Sequence, residues 1–250
     1  MITIATNKLN IDKLKSQFKN QTVITTKEIA DCYRLFEPNV KQTTINWRVY
    51  NLVQTGILSR IGRGKFNFGK GILYVPEITS KMKSIYNKLK KEFPYLKICI
   101  WNTSAVNEFM RHQPGLFYLM IEVEKEATQS VFYFLKEMNY PVFLEPKSDI
   151  LEKYVPIDKE ALIIKPLISE APTQNSNGFE TISLEKLLVD IYCDEVVFSA
   201  QQGAEMRTIF KEAFGKYVIN QNRMTRYASR RRKKESFNKY LHSIINKEQQ

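Results

Sequence analysis

The sequence predicts an α/β (α+β) fold with an N-terminal winged helix-turn-helix, then a mixed α/β domain with a helical, basic C-terminus. Two amphipathic helical patterns followed by a short basic hairpin predict the winged helix. Further along, short apolar runs alternate with helical patterns, which is typical of α/β and α+β domains. The 250 residues suffice for two compact domains. We expect residues 1–75 to form the first domain and residues 76–250 the second.

A short first helix is predicted between Asn10 and Lys19. Ile11, Leu14 and Phe18 recur at helical spacing and should point inward. Asparagine is a favoured N-cap because its side chain accepts a hydrogen bond from an unpaired backbone N–H. We therefore predict that Asn10 caps this helix.

The second helix is predicted to begin near Thr26 and to end before Pro38. Thr25 and Glu28 have the spacing of a capping box, in which each residue accepts a hydrogen bond from the backbone of the other. Proline lacks a backbone N–H and stops the helix. Residues 37–39 then form the turn of the helix-turn-helix.

The third helix, from about Lys41 to Thr55, is the predicted recognition helix. Its apolar side chains, including Ile45, Val49 and Leu52, fall on one side. The other side presents hydrogen-bonding and cationic groups that suit a DNA groove. These groups belong to Thr43, Trp47, Tyr50, Asn51 and Gln54, with Lys41 and Arg48 on the flanks.

A basic hairpin is predicted after this helix, with strands over residues 57–61 and 66–68 and a glycine-containing turn between them. In a winged helix such a hairpin contacts the phosphate backbone, where Arg and Lys supply most of the salt-dependent affinity. Winged helices also serve as protein–protein modules, and that alternative stays open. The charge of the chain favours DNA.

The net charge of +12 is unevenly distributed along the chain. Residues 1–75 hold 12 Lys/Arg against 4 Asp/Glu, and residues 207–247 hold 12 against 2. Residues 76–206 hold 14 against 19. A basic head and tail thus flank a mildly acidic middle, which suits a polyanionic partner at the ends.

The second domain is predicted to mix strands and helices. Pro94 should end a first helix, and the polar run Gln174 to Gly178 is expected to be an exposed loop. The predicted helices cover residues 79–93, 104–110 and 125–138, and the predicted strands cover residues 96–101, 117–123, 142–144 and 161–164.

The C-terminal region is predicted to be helical. Ser183 should cap a helix over residues 184–192, and a second helix should cover residues 205–214. A third, starting at Asn220 or Asn222, is expected to continue into a basic run. That run is either a solvated helix face or a second surface for phosphates or an acidic partner. The second surface would comprise Arg223, Arg226, Arg230, Arg231, Arg232, Lys233 and Lys234.

Four segments resemble AbiEi-type antitoxins, the transcriptional regulators of type IV toxin–antitoxin systems. They are residues 44–54, 58–66, 182–190 and 222–228. In that family a winged helix precedes an antitoxin domain. The resemblance covers both ends of the chain and includes no catalytic signature.

The resemblance implies a cytoplasmic antitoxin that binds double-stranded DNA in its own promoter region and represses its operon. The partner gene would encode a nucleotidyltransferase-like toxin, which the antitoxin need not bind directly. Two modes of DNA binding fit this expectation: a homodimer could bind paired half-sites, or neighbouring copies could bind direct repeats. The expected DNA contacts are Lys41, Thr43, Thr44, Trp47, Arg48, Asn51, Arg60, Arg63 and Lys65.

We expect no enzymatic activity, cofactor or metal site. His112 and His242 are the two histidines, which leaves little material for a metal centre or a Ser-His-Asp arrangement. No P-loop or dinucleotide fingerprint occurs. Cys32, Cys99 and Cys193 are widely spaced in apolar surroundings, which predicts buried thiols.

A metal-dependent nuclease is the enzymatic alternative. Glu145 and Lys147 have the Glu-x-Lys spacing of such enzymes, and Glu122 or Glu124 lies near the end of an earlier strand. Pro146, however, interrupts the strand that should present the first two side chains, and no Pro-Asp pair precedes them. Neither a membrane span nor a signal peptide is expected, because no apolar run is long enough.

Overall fold

The computed structural model describes residues 9–19, 21, 23–68, 73–110, 115–155 and 160–245. The chain divides into two compact units. The first comprises Met1–Tyr74 and Lys216–Asn220, and the second comprises Val75–Gly215 and Gln221–Gln250. The sequence predicted a single boundary after residue 75 and gave no indication that residues 216–220 join the first unit.

The first unit combines helices with a small antiparallel sheet. Its sheet has the order β1-β3-β2, with Ile24 opposite Phe66 and Leu58 opposite Phe68. Strand β1 was not predicted. The elements are α1 (Ile11–Gln17), β1 (Ile24–Thr25), α2 (Thr26–Phe36), α3 (Gln42–Gln54), β2 (Leu58–Gly62) and β3 (Lys65–Phe68).

The predicted start and end of α2 are confirmed. The Thr25 hydroxyl accepts a hydrogen bond from the Glu28 N–H at 3.2 Å, and the Glu28 carboxylate accepts one from the Thr25 N–H at 2.7 Å. The predicted Asn10 cap is wrong. Asn10 has a left-handed backbone (φ 49°), and its side chain donates to Glu37 instead of capping α1.

The second unit is mixed α/β, as predicted, and its C-terminal region is helical. A four-stranded sheet has the order β4-β5-β7-β6, with β4 antiparallel to β5 and with β5, β7 and β6 parallel. Its strands are β4 (Ile98–Asn102), β5 (Tyr118–Val123), β6 (Val142–Leu144) and β7 (Ala161–Pro166), and a separate hairpin contains β8 (Thr173–Ser176) and β9 (Phe179–Ile182).

The second unit also contains α-helices before, between and after these strands in the chain. Thr79 and Ser183 cap two of them by accepting hydrogen bonds from backbone N–H groups. The α-helices are α4 (Ser80–Glu92), α5 (Thr128–Glu137), α6 (Ser148–Tyr154), α7 (Leu184–Cys193), α8 (Ala204–Lys216), α9 (Gln221–Arg230) and α10 (Lys234–Ile245), and short 3-10 helices cover Thr103–Phe109, Lys125–Ala127 and Ser199–Gln201.

Two predictions for this unit are wrong, and a third, the helix over residues 104–110, is confirmed in its place but is not an α-helix. Residues 174–178 belong to the β8–β9 hairpin, whose turn contains Asn177 and Gly178, both at positive φ. The predicted helix over residues 104–110 is a 3-10 helix, capped by Asn102. The basic run is not one helix, because α9 ends at Arg230 and Arg232 takes a left-handed conformation (φ 58°) before α10. No helix of the described residues is both long and apolar enough to cross a membrane.

Candidate nucleic-acid interface

Helix α3 has one buried and one exposed face, as its sequence predicted. Ile45 and Leu52 are fully buried in the core of the first unit. Trp47 and Tyr50 lie on the opposite side and are 54% and 61% exposed. Two large aromatic side chains are thus available on this face to a binding partner, together with the exposed Thr43.

A chain of hydrogen bonds runs from α2 onto the exposed face of α3. Arg34 forms an ion pair with Asp31 at 3.1 Å and donates to the Gln42 amide oxygen at 2.6 Å. The Gln42 amide nitrogen donates to the Asn46 Oδ1 at 3.0 Å. Gln42 and Asn46 were not predicted as site residues, although their i, i+4 spacing places them on one helix face.

Arg48 was predicted among the DNA contacts on the flank of α3, but the structure buries it. Its side chain is turned into the first unit, and the residue is only 9% exposed. The guanidinium lies 4.9 Å from the centre of the Tyr33 ring and donates to Glu37 Oε2 at 2.9 Å. This hydrogen bond lowers the pKa of Glu37. Arg48 therefore holds α3 against α2 and does not present its charge to a ligand.

The other predicted contacts on α3 differ in exposure. Lys41 is exposed at the N-cap position, whereas Thr44 is half-buried. Asn51 is also half-buried, and its amide donates to the Trp47 carbonyl at 2.8 Å. Lys41, Thr43 and Trp47 are thus fully available on this element, and Thr44 and Asn51 only in part.

The hairpin β2–β3 exposes all three cations predicted for it. The Arg60 guanidinium lies 5.5 Å from the centre of the Phe66 ring, a cation–π contact, and the residue remains exposed. Arg63 and Lys65 are exposed at the tip, where Gly64 has φ +68°. The hairpin therefore offers a compact group of positive charge.

The predicted second basic surface is only partly formed. Arg231 is half-buried and pairs with the buried Asp190 at 2.9 Å. Arg223 is half-buried and lies 4.0 Å from Glu185. Other members pair with surface carboxylates, Arg230 with Glu170 and Lys233 with Glu195, and the remaining Arg226, Arg232 and Lys234 are exposed.

A buried charge network in the second unit was not predicted. Lys186, which is 1% exposed on α7, donates to Glu122 Oε1 at 2.7 Å and to Asp190 Oδ2 at 2.5 Å. Trp101 donates to the same Glu122 oxygen at 3.0 Å. The Tyr227 hydroxyl donates to Asp190 at 2.9 Å. These contacts join β4, β5, α7 and α9.

The network is electrically balanced. Two carboxylates, Glu122 and Asp190, face two cations, Lys186 and Arg231. Burial alone lowers the pKa of Lys186, but the carboxylates of Asp190 and Glu122 outweigh it and raise that pKa well above its usual value. Burial raises the pKa of Glu122, and the positive charge of Lys186, aided by its hydrogen bond, opposes this effect. Lys186 is therefore a cation at neutral pH.

A cavity of about 260 Å³ lies beside the network, at the carboxyl ends of β5 and β7 and just after β6. Glu122, Lys165 and Glu145 contribute to its wall, and Lys165 pairs with Asp194. Glu145 has a left-handed backbone (φ 41°). Lys147 does not line this cavity and is exposed at the start of α6. The Glu-x-Lys pair of the nuclease alternative is therefore not gathered at this site.

Other reactive side chains give no alternative centre. In the described part of the chain, no group of three or more His, Cys, Asp or Glu side chains is placed to hold a metal ion. His242 is exposed on α10, and His112 lies outside the described residues. Cys32 and Cys99 are buried, as predicted, whereas Cys193 is half-buried.

Comparison with known proteins gives a family but no activity. No curated protein matches the chain. The model of a family described as "Family of unknown function (DUF6577)" matches residues 44–247, which is most of the chain. The chain therefore belongs to this family of unknown function.

Proposed function

We propose that the first unit is a winged helix-turn-helix that binds duplex DNA, with α3 in the major groove and the β2–β3 hairpin as the wing. The exposed face of α3, followed in the chain by a hairpin with three exposed cations, is the observation that carries this proposal. Helices of this kind read base edges, and basic hairpins bind phosphates. In this proposal α3 reads the base sequence, and the hairpin supplies the electrostatic attraction to phosphates.

We further propose that the whole protein is an antitoxin-like transcriptional regulator without enzymatic activity. The resemblance of residues 44–54, 58–66, 182–190 and 222–228 to AbiEi-type antitoxins supports this part. The protein would repress its own operon in the cytoplasm and counter a nucleotidyltransferase-like toxin. It would act on its promoter either as a homodimer or as neighbouring copies.

A protein-interaction module is the second candidate, and the exposed aromatic pair of α3 favours it. Trp47 and Tyr50 belong to the residue types that are enriched at protein interfaces. The same two side chains can contact base edges or thymine methyl groups. Binding to DNA therefore has to be measured directly.

The decisive experiment compares binding of the full chain to the DNA upstream of its own gene with binding to a scrambled duplex across a salt series. We expect the upstream fragment to be preferred at about 200 mM salt, where nonspecific phosphate binding has weakened. Equal, salt-sensitive binding to both duplexes would mean that the protein has only a basic surface that binds DNA without sequence preference. Absence of binding would move the first unit to the protein-interaction class.

Arg63→Ala tests the wing. We expect weaker binding to both duplexes and a salt slope reduced by about 1, because one phosphate contact is lost. Lys83→Ala is the matched control, since Lys83 is an exposed cation on α4 of the second unit. If both variants changed binding equally, overall charge and not the wing would explain the affinity.

Thr43→Ala and Asn51→Ala test the recognition helix. We expect these changes to alter the preference among sequences, because base edges are read from that helix. Thr43, which is exposed, should have the larger effect, since the Asn51 amide is bound to a backbone carbonyl. Unchanged sequence preference in Thr43→Ala, measured on the upstream and scrambled duplexes, would contradict the placement of α3 in the major groove.

A further inference from the structure

The exposed face of α3 carries no positive charge. Arg48 is the only lysine or arginine between Gln42 and Gln54. Its guanidinium is bound to Glu37 at 2.9 Å and covers the Tyr33 ring, and the residue is 9% exposed. A helix with this face lacks the side chains that most often bind guanine, because guanine offers two acceptors to the forked donors of Arg or to Lys.

The groups that the face does offer suit adenine and thymine. Asn46 is exposed, and its Oδ1 accepts from Gln42 while its amide nitrogen makes no hydrogen bond with another described residue. Asn and Gln side chains pair with the N6 and N7 atoms of adenine. The Thr43 methyl group and the rings of Trp47 and Tyr50 are exposed apolar surfaces, and such surfaces contact the thymine methyl group.

The cations beside this face add affinity without base preference. Arg63 is exposed at the hairpin tip, between two glycines, where it suits a phosphate contact. Lys41 stands at the N-terminus of α3, where side chains commonly meet phosphates and raise affinity for every sequence alike.

From these placements we infer that the DNA recognised by this protein is A·T-rich at the base pairs that face α3, with Asn46 as the residue that selects adenine. The inference rests on the proposed function and adds the base composition of the target. It also assigns a specificity role to Asn46, and it assigns Arg48 a positioning role in place of base contact.

The experiment selects bound duplexes from a pool with a random core of about 20 base pairs, enough for two half-sites one helical turn apart. Selection uses the full chain at about 200 mM salt to suppress nonspecific binding. We expect enrichment of A·T pairs at fixed positions. Asn46→Ala should reduce the preference for the selected site over its G·C-substituted counterpart by about 5- to 150-fold, the range of one bidentate base contact.

Two further variants serve as controls. Gln17→Ala removes an exposed amide from α1 of the same unit and should leave the preference unchanged. Lys41→Ala should weaken binding to all duplexes by a similar factor. Enriched sites with conserved G·C pairs, or a G·C preference that Lys41→Ala removes, would overturn the inference while leaving DNA binding intact. A pool without any enrichment would overturn the proposed function itself.

Discussion

Replacing Lys186 by methionine should destabilise the second unit strongly. Methionine keeps most of the volume of the lysine side chain but removes its charge and its hydrogen bonds. Glu122 would then keep only the Trp101 N–H, and Asp190 would keep Tyr227 and Arg231. Breaking a buried pair by removing one partner costs about 3–5 kcal/mol, because the other charge stays buried without compensation.

Tryptophan fluorescence during urea unfolding measures this effect in the second unit alone. The chain has two tryptophans, so a Trp47→Phe background leaves Trp101 as the only reporter. Trp101 is 1% exposed, and its fluorescence should change on unfolding. With a urea dependence of about 2 kcal/mol/M, the loss lowers the midpoint by about 1.5–2.5 M. Lys81→Met, which breaks a surface pair with Glu160, is the control and should cost below about 1 kcal/mol.

The destabilisation should depend on pH with a defined sign. Without Lys186, the folded-state pKa of Glu122 lies further above its unfolded value, so the folded variant binds a proton more readily than the unfolded one. The stability of the variant then falls as pH rises from the unfolded-state pKa of Glu122 to its folded-state pKa. The cost of Lys186→Met should therefore be smaller at pH 5 than at pH 8. A cost below about 1 kcal/mol at pH 8, or one independent of pH, would refute this account of the network.

Three further predictions concern local features. Thr25→Ala should lower the free energy of unfolding of the first unit by about 1 kcal/mol, because the capping box with Glu28 is lost, as urea unfolding would measure. Gly56→Ala should cost about 1–2 kcal/mol in the same assay, since φ is +72° and the new methyl group would lie 2.9 Å from Val218. Burial raises the pKa of Cys193 to about 11, so alkylation by iodoacetamide should stay slow at pH 8 and accelerate towards pH 11.

Features that depend on neighbouring residues were predictable from the sequence. The capping box at Thr25 and the Ser183 cap were found because each is a hydrogen bond between residues three apart. The inward stripe of α3 and the β2–β3 hairpin were found because periodicity and turn residues are local signals. These features determine most of the element order in the first unit.

The β8–β9 hairpin was missed although its turn has a local signal. Asn177-Gly178 is a typical hairpin turn pair. The polar strand residues on either side of it, Gln174 and Asn175 among them, have little strand propensity and gave the run the composition of a loop. The β8–β9 backbone pairing, which joins Thr173 to Ile182, therefore forms where side-chain propensity alone predicted none.

The buried network could not be predicted because its partners are far apart in sequence. Lys186 and Asp190 are one helical turn apart, a spacing that usually marks an exposed pair. Glu122 lies 64 residues before Lys186, and the approach of β5 to α7 brings the two together. The break between α9 and α10 is similar, since Arg232 adopts positive φ with no glycine or proline nearby to announce it.

The net charge of +12 overstates the charge that is free to attract a partner, because some cations are paired with carboxylates inside the protein. Arg48, Lys186 and Arg231 each neutralise a carboxylate inside their own unit, so their charges stabilise the protein and do not attract a polyanion. The exposed cations of the first unit lie on the hairpin and at the start of α3, but also on other elements, as Lys13, Lys15, Lys19 and Lys27 show. Because affinity for DNA follows the phosphates neutralised and not net charge, the proposed DNA binding predicts that specificity depends on the uncharged face of α3, which composition alone does not indicate.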